Sequence, residues 1–187
     1  LGATKDYIEA SGANQEDADA LYQANIDLLT DNILTYYSVN IDDAPEMREQ
    51  FESLAKNIYS KFNYKVDKAR KDGSAYLVDI TIYPINLFAQ TSEDVTAYVD
   101  TFNNDVKAGT YNDYSLSDYE TVFAQGLIDI LNAGCENMSY ADSQVVTVEI
   151  IEDGNKYYIS DHDFMKIDAA MISSAIVTET ATSTDAN

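Results

Sequence analysis

The chain has little of what usually betrays a chemistry: one cysteine, one histidine, two prolines and no tryptophan in 187 residues. A single cysteine, Cys135, excludes an intrachain disulfide framework and any multi-thiolate metal site. It falls in a helical apolar stretch, where cysteine serves as a small hydrophobe rather than a reactive thiol. A single histidine leaves the zinc and Ser-His-Asp templates unfilled. Neither a G-x-G-x-x-G nor a G-x-x-x-x-G-K-[ST] run occurs, and the Asp-rich turns lack EF-hand spacing, so no cofactor, metal site or catalytic residue is expected. Positive charge is scarce as well, 11 Lys and Arg against 33 Asp and Glu, for a formal net charge of −22. A field of that sign repels phosphate backbones, which argues against nucleic acid as a partner. No run approaches the ~20 apolar residues of a membrane-spanning helix, so no transmembrane segment is expected. The chain opens at Leu1-Gly2-Ala3 without methionine. The expectation is a processed piece of an exported protein, with any lipid anchor on a removed upstream segment.

What the chain does have is an apolar fraction of 45% with 24% charged residues, the balance of a globular protein. We expect a single domain over 1–172 and a Ser/Thr-rich tail over 173–187, in which Ala175-Ile176-Val177 alone resembles a strand. Two helical turns over 4–10 precede a helix that Asn14 caps and that carries Ala18, Leu21, Tyr22, Leu29 and Ile33 at helical spacing. A second helix follows Asp43-Ala44-Pro45-Glu46, with Met47, Phe51, Leu54, Ile58 and Phe62 as its stripe. The period then drops to two. Phe62, Tyr64 and Val66 alternate with Asn63, Lys65 and Asp67; Asp72-Gly73 turns the chain; Tyr76, Val78, Ile80 and Ile82 continue to Pro84, which cannot donate to a ladder. Thr91-Ser92-Glu93-Asp94 opens a third helix that ends at Gly109. Ser117-Asp118-Tyr119-Glu120 reads as a capping box for a fourth, ending at Gly134, with Gly126 inside its apolar stripe as a mark of close approach by another element. Residues 143–160 form a second hairpin around Asp153-Gly154-Asn155, and Asp161-His162-Asp163 caps a last short helix with Phe164, Ile167 and Met171.

These elements predict an α+β fold, with helices packed on one face of a curved antiparallel sheet of about four strands and the other face partly solvated. The stretch YKVDKARKDGSAYLVDITIYPIN, with the later YADSQVVTVEIIEDGNKYYIS, resembles exported lipoproteins of Gram-positive bacteria that carry NTF2-like or cystatin-like domains of unknown function. The resemblance covers roughly residues 4–172 and rests on turn and strand patterns. It implies an extracellular or cell-surface location and a cone of sheet and helices whose mouth often holds a small molecule. It implies no particular ligand or reaction. The dyads of NTF2-like isomerases and dehydratases have no recognisable counterpart in this sequence.

Two constellations stand out. Six of the eleven cations lie between Lys56 and Lys71, and Lys61, Lys65, Lys68, Arg70 and Lys71 form a candidate docking patch for an anionic partner. The plainer reading is a hairpin edge protected from intermolecular pairing by lysines. Fifteen tyrosines make tyrosine the main aromatic residue, suited both to strand packing and to a small-molecule cleft. Asp79, Tyr83 and Tyr64 are the candidate pocket residues. Asp161-His162-Asp163 reads as a helix cap rather than a general base or ion site, since neighbours on an extended segment diverge. The function expected is a non-catalytic exported domain that binds a small ligand or a cell-surface protein. The alternatives are an NTF2-like isomerase or dehydratase, which requires a carboxylate buried beside a tyrosine or the histidine, and a purely structural surface domain.

Overall fold

The structure, a computed structural model, describes residues 4–73, 75–154 and 156–173. Its elements run α1 (Thr4–Ser11), α2 (Gln15–Tyr36), α3 (Met47–Ser60), β1 (Asn63–Val66), β2 (Arg70–Asp72), β3 (Ala75–Tyr83), α4 (Leu87–Gln90), α5 (Ser92–Ala108), α6 (Leu116–Glu136), β4 (Gln144–Asp153), β5 (Lys156–Ile159) and α7 (Asp161–Met171). The architecture is α+β with one antiparallel sheet, as the sequence predicts. The described residues group into two compact units: one from within 1–25, 62–86 and 140–187, the other from 26–61 and 87–139.

In the first unit the sheet order is β1-β3-β4-β5, with β2 also paired to β3. It is therefore four strands wide. Both β1 and β2 lie on the same side of β3, and the register slips between them: Val66 faces Ile80, whereas Arg70 faces Leu77. Three residues, 67–69, thus oppose two, and Asp67 keeps one bond by donating its N–H to the Asp79 carbonyl at 2.9 Å. This is a β-bulge. Side chains alternate with period two, so the extra residue moves Arg70 from the Ile80 face to the Asp79 face. On the first face Val78, Ile80, Ile82 and Val148 form a core with Ala170 and Met171. Val146, Ile150, Ile159 and Ile167 pack around them, half-buried. Burying each large aliphatic side chain is worth about 1.5–3 kcal/mol.

The sequence suggests that the long helices cover this face. Within the unit that helix is α7, which packs on β3 and β4. Its end is fixed by backbone: Ile85 donates to the Met171 carbonyl and Ser173 to that of Ile85, with Ile172 bridging Ile85 in parallel. The start of α7 is capped by Ser160, whose Oγ accepts from the Asp163 N–H, one residue earlier than the Asp-His-Asp reading placed it. Asp163 is otherwise engaged, because the residue is 7% exposed and its carboxylate accepts the Glu149 N–H at 2.9 Å and the Lys166 ammonium at 2.6 Å. The pairing of β5 with β4 stops at Ile150. Asp163 satisfies the next free N–H on that side of β4.

In the second unit α3 and α5 both pack on α6, as does α4. Tyr98 of α5 lays its ring on Gly126, where an added Cβ would lie 2.3 Å from the ring's Cζ. Its hydroxyl donates to the carbonyls of Val122 and Phe123, so the close approach expected at Gly126 is real. Gly134 does not end α6 but lies within it, under Leu87 and Thr91. The capping box uses Ser115 and Asp118, two residues before the expected pair, and frees Glu120 to become buried and accept the Asp43 N–H. That bond occupies the segment expected to start α3, which begins at Met47 instead. Thr91 makes no side-chain cap for α5; its hydroxyl donates back to the Leu87 carbonyl of α4. Cys135 is buried, and burial pushes its thiol up to about 11, which keeps it protonated and unreactive at neutral pH.

Candidate functional site

The residues singled out in the sequence do not converge. Asp79 and Tyr83 lie on the solvated face of β3, while Tyr64 pairs with Ile82 and so faces the other way. Asp79 is held by Arg70 and by the hydroxyl of Thr147, which donates at 2.6 Å. These two donors, Thr147 foremost, hold its carboxyl below the usual aspartate range. That is the opposite of the upward shift a general acid needs at neutral pH.

The cationic set, Lys61 apart, is distributed along one margin of the sheet. Lys65 is on β1 and pairs with Asp67 at 2.9 Å, Lys68 lies in the bulge, and Arg70 and Lys71 are on β2. Lys61 belongs to the second unit, where it is the C-cap of α3. The margin carries charge and a break in register together, the two devices by which exposed strands avoid pairing with other chains.

A concavity of about 580 Å³ opens elsewhere in the first unit. Its floor is the end of the core face, where Ile150 and Ile159 oppose each other and Tyr157, two residues along, shares their side. Leu21 of α2 and Phe164 of α7 form its walls, with Ser11 at the end of α1 and Asp161 at the start of α7. Helix α1 packs against β5, and Gly12, at φ +70°, lets the chain turn from α1 into α2. Leu21 is 45% and Phe164 48% exposed, two of several half-exposed large apolar side chains that here share one concavity. The volume falls in the range of small-molecule pockets, roughly 300–1,000 Å³. Asp168, one turn beyond Phe164 on α7, is pushed up by desolvation while keeping access to solvent.

Sequence reasoning missed this cleft because each lining residue fits a packing pattern. Leu21 and Phe164 lie on helical stripes, and Tyr157 sits on a strand, where tyrosine is at home. The detectable signal was a surplus: the last helix carries Phe164 and Met165 in addition to the Ile167, Ala170 and Met171 that its sheet contact uses.

No known family profile matches the chain, and no curated protein matches it. Among solved structures it is similar to YcdA, a candidate lipoprotein of Bacillus subtilis subsp. subtilis strain 168, with a TM-score of 0.56 and 14% sequence identity. The match covers 89% of this chain and 50% of that one, so this chain spans about half the length of the Bacillus protein. At that identity the likeness is one of fold.

Proposed function

We propose that the chain is a non-catalytic ligand-binding module of a protein displayed outside the cell. The observation that carries this reading is the cleft between α1, α2, β5 and α7, in which Leu21, Tyr157 and Phe164 are left half-exposed beside an ordered apolar floor. Large exposed apolar groups gathered in one concavity are costly unless something covers them. An exported setting is supported by the fold shared with a candidate lipoprotein and by the repulsion that a charge of −22 exerts on nucleic acid. The combination of helices with a curled antiparallel sheet supports the NTF2-like or cystatin-like reading. One chain threads both units repeatedly, which supports treating 1–172 as one domain. An isomerase or dehydratase is the weaker reading, since Asp79 is tuned away from proton transfer.

A thermal-shift screen of the full chain against sugars, peptidoglycan fragments, sterol-like compounds and aromatic amines tests the proposal. A ligand of this cleft raises the melting temperature by several degrees, and Phe164→Ala abolishes the rise. Stabilisation that survives Phe164→Ala places binding elsewhere and ends the reading.

A further inference from the structure

We infer that the occupant of this cleft is an organic cation, an amine or quaternary ammonium on an apolar body. The inference rests on the ligand-binding reading above and adds the ligand's charge.

Among the described residues that line the cleft, Asp161 carries the one formal charge, and no basic side chain accompanies it. The cation three residues past Phe164's predecessor on the same helix, Lys166, is already committed to Asp163 at 2.6 Å. An anionic ligand therefore meets a carboxylate at the site and a net charge of −22 around it, and is repelled twice. A polyhydroxylated neutral ligand has to leave hydroxyls unpaired against Leu21, Ile150 and Ile159, which costs affinity for each unmade bond. A cation on an apolar body escapes the repulsion, and any N–H donors it carries sit at one end, where the Asp161 carboxylate can accept them. Its hydrocarbon covers the aliphatic floor, its charge is attracted by Asp161, and the rings of Tyr157 and Phe164 supply the negative aromatic faces that attract ammonium groups. Asp161 also lies in the first turn of α7, so its backbone is ordered before a ligand arrives.

Three matched probes decide the matter: 3-phenylpropylamine, 3-phenylpropanol and 3-phenylpropanoate, titrated into the full chain and followed by amide NMR. The expected result is saturable binding of the amine, with shifts at Tyr157, Asp161 and Phe164. The alcohol binds roughly tenfold more weakly and the propanoate more weakly still. Asp161→Asn brings the amine to the affinity of the alcohol and leaves the alcohol unchanged, whereas Phe164→Ala weakens both. If Asp161→Asn leaves amine affinity intact, or if the alcohol or propanoate binds as well as the amine, the cationic inference is overturned while the cleft reading stands. If none of the three probes moves the cleft amides, both fall.

Discussion

The hairpins β1/β2–β3 and β4–β5 turn on the same dipeptide, Asp72-Gly73 and Asp153-Gly154, with the glycines at φ +61° and +65°. They leave the sheet with opposite margins. The first ends in a strand broken by a bulge and studded with Lys65, Lys68, Arg70 and Lys71. The second ends in four residues that carry two tyrosines and lie against α1, with Asp163 of α7 continuing the hydrogen bonding where β5 stops. A bare edge can be guarded by charge and irregular register, or it can be covered. The guarded edge has no need of apolar surface. The covered one gathers it, and where the cover is incomplete a cleft is left. Local turn chemistry was therefore neutral as to function, and the difference arises from what packs beside each ribbon.

Substitutions can break this contrast at graded strength. The largest effect is expected at Ile82, which is fully buried on β3, the strand both margins depend on. Ile82→Ala should cost about 3 kcal/mol in urea unfolding and reduce hydrogen-exchange protection in β1 and β4 alike; a loss confined to one side would contradict a shared core. Asp163→Ala comes next, at about 2 kcal/mol, because it strands the Glu149 N–H. Its loss of protection should be local to β4, β5 and α7.

A pH titration sharpens the same point. The Asp163 carboxyl is held below its usual range, first by the Glu149 N–H and then by Lys166. A depressed folded-state value means its stabilisation is complete above the unfolded aspartate value near pH 4 and is lost as pH falls through the lower folded value. Asp163→Asn should flatten the acid limb of the stability curve below about pH 4; an unchanged limb would assign acid sensitivity to other carboxylates. The smallest effect on stability is expected from replacing Lys65, Lys68 and Lys71 together by threonine. Unfolding should scarcely change, but sedimentation should reveal self-association through the unguarded margin. A variant that stays monomeric would transfer the protective role to the bulge alone.

Both hairpins were legible in the sequence because alternation and Asp-Gly turns are local signals that tertiary structure seldom overrides. The core face followed from Val78, Ile80, Ile82, Val146 and Val148, which do share one interior. The bulge was not legible, since one extra residue among Asp67, Lys68 and Ala69 leaves no compositional trace. Neither was α4, whose four residues are too few to display a period. The capping box of α6 illustrates a different limit: Ser115 with Asp118 and Ser117 with Glu120 both have the spacing, and the choice between them fell to Asp43, far away in sequence, whose N–H takes Glu120. The candidate site was the least legible part. Its residues are ordinary packing residues that become a site only where α1, β5 and α7 fail to close over them.

The pairing of β3 with β4 sets a schedule for biosynthesis. Residues 84–143, sixty in number, must be made after β3 ends and before β4 begins. At ordinary translation speeds that is a wait of roughly 3–12 s. For that interval β3 has one side satisfied by β1 and β2 and the other open, with Val78, Ile80 and Ile82 bare. Lys65, Lys68, Arg70 and Lys71 stand beside that open strand, where charged residues flanking a bare apolar segment oppose its pairing with other chains. In the finished molecule the same residues guard the margin that β1 and β2 leave.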